Sequence, residues 1–119
     1  RLPAMIGAMG RCIAARSGMT DAELAKSIAP LKWDDPPKFE RYLSEVKAAA
    51  VAGYAIDDGN FLQGITSVAA PIASREGALT HCLAATPFKG RFDGEGLRNL
   101  GKAVRKACEA AGALLGSVR

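Results

Sequence analysis

Apolar positions recur along this chain with two different periods, and the change of period orders its elements. Residues 4–16 are Ala-rich and apolar nearly all round, which predicts a helix buried on most sides, with Met5, Met9, Cys12 and Ile13 as its widest stripe. Gly18 is placed to stop it. Thr20 and Glu23 then frame a capping box for a short helix over 21–28, which closes before Pro30. Lys32-Trp33-Asp34-Asp35 reads as a loop. Pro36-Pro37 leads into a helix over 37–51, where Phe39, Leu43, Val46, Ala49 and Ala50 oppose Lys38, Glu40, Arg41, Glu45 and Lys47. Gly53 ends it. The period then falls to two. Residues 54–57 predict a short strand, Asp58-Gly59 a turn, 65–73 a longer strand, 74–77 a hairpin turn and 78–86 its partner strand. After a loop from Pro87 to Gly94, Glu95 opens a last helix to about Leu115, with Leu97, Leu100, Val104, Cys108 and Ala111 on its apolar side. Helices, then a hairpin-rich sheet, then a helix predict an α+β fold, an antiparallel sheet flanked by helices.

The strand over 65–73 has an unusual side-chain pattern. One face carries Ser67, Ala69 and Pro71, and the other Thr66, Val68, Ala70 and Ile72. A strand that closes a solid core usually presents large branched residues. Small ones leave room above the sheet. With a hydroxyl in the lining and a carboxylate beside it, that room predicts a small-molecule cavity.

Composition narrows the class. A chain of 119 residues is read as one domain, 1–119, and its 49% hydrophobic and 6% aromatic content predicts a core packed by close approach rather than bulk. No run reaches the roughly 18 apolar residues that a membrane span needs. The start, Arg1-Leu2-Pro3, is no signal peptide, and the missing initiator Met is consistent with a piece of a longer protein. The three cysteines are an odd number without metal-type spacing, which predicts buried reduced thiols in a cytoplasmic protein and no metal site. The net charge of +4 has one local concentration, Arg98, Lys102, Arg105 and Lys106, on about one face of the last helix. With no aromatic residue interleaved, it fits a solvated helix face better than a nucleic-acid contact.

Candidates for chemistry are few. The single histidine, His81, neighbours Cys82, but adjacent strand residues point to opposite faces, so the two cannot act as base and nucleophile on one group. Asp57-Asp58 diverge for the same reason. Asp58, before Gly59, suits turn chemistry, which leaves Asp57 for the cavity. Gly7 and Gly10 lack the strand–loop–helix context of a phosphate loop. They permit close helix-to-sheet packing, or they open a helix end whose amides favour an anion.

Several segments, in order, resemble one family. Gly53-Tyr54-Ala55-Ile56-Asp57, Gly64-Ile65 and Ser67-Val68-Ala69-Ala70-Pro71 look like the effector-domain signature of IclR-type bacterial transcription regulators. Arg1-Leu2-Pro3, Gly7-Ala8-Met9-Gly10-Arg11 and Ala14-Ala15 resemble the family's opening segment, and Leu114-Leu115-Gly116 fits its closing helix. The resemblance implies a GAF-like or profilin-like sheet whose first strands are missing here. It also implies a ligand-sensing domain that is no enzyme and needs no cofactor. Its effector would be a small organic acid, an aliphatic or aromatic carboxylate. The domain would form a homo-oligomer, a dimer or tetramer. DNA would be bound only through a separate N-terminal winged helix-turn-helix domain. Its ligand site would be bordered by Leu2, Ala8, Met9, Asp57, Ile65, Ser67, Leu83 and Ala85, with Asp57 ten residues before Ser67 as in the family. Leu83 and Ala85 stand where the family often has hydroxyl residues, which predicts a more apolar pocket. Two rival readings remain at this stage: a small enzyme using Asp57, Ser67 and His81, and a stand-alone binding or oligomerisation module.

Overall fold

The computed structural model describes residues 6–73 and 79–117. Three strands, β1 (Ala55–Asp58), β2 (Thr66–Ala73) and β3 (Leu79–Ala85), form an antiparallel sheet in the order β1-β2-β3. Helices α1 (Gly7–Arg16) and α3 (Phe39–Ala52) cover one face, and α4 (Gly94–Ser117) covers the other. The short α2 (Asp21–Ile28) packs through Leu24 against Ala14, Tyr42 and Val46. The fold is thus the expected α+β arrangement. The expected hairpin turn over 74–77 lies outside the described residues.

The two faces of β2 divide as its alternation predicts. Ala69 meets Ala8, Cys12, Ala49 and Ala55 on the α1 face. Val68 and Ala70 meet Val104 and Cys108 on the α4 face. Two thiols hold the central strand: Cys12 Sγ donates to the carbonyl of Ala69, and Cys108 Sγ to that of Ala70, each at 3.3 Å. The small side chains bring the helices close instead of leaving the sheet bare. A cavity is therefore not the automatic result of a small-residue strand.

Helix ends follow their local chemistry. Thr20 Oγ1 accepts from the Glu23 amide while Glu23 Oε1 accepts from the Thr20 amide, completing the capping box of α2. Helix α3 starts two residues later than expected, because Lys38 is an extended N-cap with ψ 144° and the proline pair forms its approach. It ends at Gly53, whose φ of +82° is left-handed and suits glycine. Arg105 of α4 donates through Nη1 to the Ala52 carbonyl at 3.1 Å, placing a cation at the negative end of α3. Of the basic cluster on α4, Arg105 is thus structural, whereas Arg98, Lys102 and Lys106 are exposed.

Candidate functional site

The first turn of α1 lies over the end of β1 and β2. Its N-cap, Ile6, makes no side-chain capping bond, and no acidic residue stands in the turn. The first helical bond runs from the Gly10 amide to the Ile6 carbonyl at 3.0 Å. The amides ahead of it carry the positive end of the helix. Ala8 is buried on the sheet against Ala69, while Met9 is 41% exposed. The exposure of Met9 departs from the expected stripe: Ala8 and Cys12 face the sheet, and Met9 does not share their burial. Ser67, half-buried, pairs with Asp57 across β1–β2 and so shares this face. Ile65, half-buried, has the same parity in the chain and bridges to Phe88. Leu2 lies outside the described residues.

Register separates the remaining expected residues. Leu83 pairs with Ala70, and Ala85 with Val68. Directly opposed residues of an antiparallel pair share a face, so Leu83 and Ala85 sit on the α4 side, opposite to Asp57 and Ser67. Ala85 packs in the Val68–Val104–Cys108 cluster. The expected border of Ala8, Met9, Asp57, Ile65, Ser67, Leu83 and Ala85 is therefore not assembled as one lining. The α1 face of β3 carries Ala84, opposite Ala69, and Cys82, opposite Pro71. Parity within one strand was readable from the chain. The pairing that decides which parity meets Ser67 was not. His81 pairs with Ile72, on the α4 side, so Asp57, Ser67 and His81 do not converge either.

Asp57 has a different occupation from the one expected. It is 2% exposed and its carboxylate faces protein. Oδ1 accepts from the Asn60 amide at 2.7 Å, and both oxygens lie 3.3 Å from the Phe61 amide. Oδ2 is 3.2 Å from Arg11 Nη1. Asp57, not Asp58, thus makes the turn bonds. Asp58 is exposed, accepts from Thr66 Oγ1 at 2.7 Å and lies 3.6 Å from Lys89 Nζ. The order is reversed because the alternation of β1 puts Asp57 on the covered face, where the turn amides and Arg11 converge, and its last residue, Asp58, on the other.

Arg11 is the residue that the sequence reading passed over. An arginine inside an Ala-rich helix looks like its wet side, yet Arg11 is fully buried. Nη1 donates to the Gly7 carbonyl at 3.1 Å as well as pairing with Asp57. Nη2 donates to Glu45 Oε1 and to Asn60 Oδ1, both at 3.0 Å, and Nε to Glu45 Oε1 at 3.3 Å. The Trp33 and Tyr42 rings lie 5.7 and 5.4 Å from its central carbon. Burial pushes the Tyr42 hydroxyl up, and Arg11 partly offsets it. The available signal was Asp57, an acid on an otherwise apolar strand face; Glu45 reads as part of the polar side of its helix.

A pocket of about 180 Å³ does open on the α1 face, but toward the other end of the helix. Cys12, Ala15, Arg16, Ala49, Ala50, Gly53 and Pro71 line it, and none of them is an expected ligand residue. Burial lifts the Cys12 thiol to about 12, with the nearby Cys82 adding to it, so the wall holds a neutral thiol. Among the described residues no group of His, Cys, Asp and Glu is placed to hold a metal. Also among them, no helix is long and apolar enough to cross a membrane.

The model of the bacterial transcriptional regulator IclR C-terminal family matches residues 1–112. The chain is similar to the Agobacterium tumefaciens repressor BlcR, with a TM-score of 0.81 and 23% identity over 98% of this chain and 48% of that one. It is similar to an IclR transcriptional regulator from Alicyclobacillus acidocaldarius, with a TM-score of 0.75 and 22% identity over 94% of this chain and 46% of that one. It also resembles the inducer-binding domain of a double mutant of the PobR transcription factor from Acinetobacter, solved with 3-hydroxybenzoic acid. There the TM-score is 0.71 and the identity 14% over 94% of this chain and 68% of that one. At these identities the likeness establishes the fold. The chain spans about half the length of BlcR and of the Alicyclobacillus regulator. No match is found among curated proteins.

Proposed function

Since the chain belongs to the IclR C-terminal family of bacterial transcriptional regulators, we propose that it is the effector-sensing and oligomerisation domain of such a regulator and that it catalyses no reaction. One observation carries the reading: the uncapped N-terminus of α1, with no acidic residue in its own first turn, lies against Asp57, whose cross-strand neighbour on the same covered face is Ser67. Backbone amides at a helix start favour a carboxylate, and a neighbouring hydroxyl offers a further hydrogen bond. The PobR inducer-binding domain was solved with an aromatic carboxylate, which supports the same ligand class here. The proposed lining is Leu2, Ala8, Met9, Ile65 and Ser67, with Ala84 as the β3 contribution and Asp57 as a structural support behind it. Leu83 and Ala85 fall outside this lining. Effector binding would shift the arrangement of a dimer or tetramer through its different affinity for two assemblies. Operator DNA would be bound by a separate N-terminal domain, in the cytoplasm. The test is amide chemical-shift mapping with a panel of small aliphatic and aromatic carboxylates. Saturable shifts at Ala8, Met9 and Ser67 are expected. Shifts confined to the pocket around Pro71, or none, would replace this reading with that of a module that only oligomerises.

A further inference from the structure

The Arg11 cluster bears on how this proposed effector site acquires its ligand preference. The site sits beside two carboxylates, Asp57 and Glu45, and both would repel an organic acid. Arg11 stands between them. Its guanidinium has five N–H donors, and four of them are hydrogen-bonded within the protein: Nη1 to Gly7 O, Nη2 to Glu45 Oε1 and Asn60 Oδ1, and Nε to Glu45 Oε1, while Nη1 also forms an ion pair with Asp57 Oδ2 at 3.2 Å. The side chain curls back onto the carbonyl of the residue four positions earlier, at the start of its own helix. It therefore fixes the turn whose amides face the proposed ligand, and it neutralises the nearest acid.

We infer that Arg11 is a positioning residue that sets the charge selectivity of the effector site, holding the first turn of α1 through Gly7 and cancelling Asp57 so that the helix end admits an anion. The inference rests on the effector reading given above. Lysine cannot replace it, because an ammonium has three donors, no planar fork and no flat face to lie near the Trp33 and Tyr42 rings.

Three variants test this, with 3-hydroxybenzoate and the neutral 3-hydroxybenzamide as probes in calorimetry, and with amide hydrogen exchange. Arg11→Lys keeps the charge and loses the fork. It is expected to stay folded, to speed exchange over residues 8–11 by about tenfold while β2 is unchanged, and to weaken 3-hydroxybenzoate about tenfold, as loss of several charge-assisted bonds implies. Arg11→Met leaves Asp57 uncancelled and is expected to lose the wild-type preference for the acid, whereas Arg11→Met combined with Asp57→Asn removes the repelling charge with its partner and is expected to restore that preference. An unchanged exchange rate in Arg11→Lys would overturn the positioning role, and an acid preference kept by Arg11→Met, or lost in the double variant, would overturn the selectivity role. If Arg11→Lys does not fold, the double variant decides. If the wild-type chain binds neither probe, the effector reading and the selectivity role fall together, while exchange, which needs no ligand, still decides whether Arg11 holds the helix start.

Discussion

Asp57 and Ser67 face each other across β1 and β2, yet their energetic roles differ. Asp57 is buried and committed to Arg11 and two turn amides. Removing one member of a buried ion pair strands the other charge, so Asp57→Ala is expected to lose about 3–5 kcal/mol of stability in urea unfolding. A loss below about 1 kcal/mol would contradict the buried-pair account. Ser67 is half-buried and its hydroxyl is not required by the core, so Ser67→Ala should leave the unfolding midpoint within experimental scatter. Cys12 adds a pH dependence. Its folded thiol is raised from 9.0 to about 12, mainly by burial. The native state therefore keeps a proton that the unfolded state loses. The stability due to Cys12 is fully present below pH 9 and declines as pH rises from 9 toward 12. Cys12→Ala should flatten the alkaline limb of a stability–pH curve relative to wild type. Equal slopes for the two proteins would contradict the burial of this thiol. From the sequence, the turn role falls to Asp58 and the cavity to Asp57, whereas in the structure Asp57 accepts the turn amides. Its commitment to Arg11 was not legible, because that contact joins residues 46 positions apart whose pairing depends on how α1 lands on the sheet.

At the scale of elements, periodicity carried far. The helix and strand order, the capping box at Thr20, the stop at Gly53 and both faces of β2 were legible, because each rests on local chemistry or on alternation within one segment. What was not legible depends on one element meeting another. The β2–β3 register, which has an irregularity between Ile72 and Ala73, puts Leu83 and Ala85 on the α4 side. The apolar face of α3 was read through Leu43 and Ala50, whereas Tyr42 is the residue buried completely, drawn in by the Arg11 cluster. Helix–sheet contact also explains a glycine inside α4. At Gly101 a methyl group would overlap the Tyr54 ring. Helix propensity alone favours alanine there by about 1 kcal/mol, but overpacking costs about 1–3 kcal/mol. Gly101→Ala is thus expected to lower the thermal midpoint. A raised midpoint would mean that α4 does not approach β1 this closely.

The whole molecule leaves large apolar side chains uncovered: Phe88 is 76% exposed, and Val51, Leu62 and Leu114 are exposed with it. Such surface favours association, and sedimentation at micromolar concentration should reveal a self-associated species, whereas a clean monomer would count against the oligomerisation role. The central claim is an acid-binding site built on the first turn of α1 and the Ser67 side of β2. Calorimetric titration of small carboxylates into wild type, Ser67→Ala and Leu83→Ser tests it most directly. The account predicts saturable binding, a loss of about 1 kcal/mol for Ser67→Ala and no change for Leu83→Ser, which lies on the other face. Absence of binding by any acid, or a Leu83→Ser effect as large as that of Ser67→Ala, would contradict it.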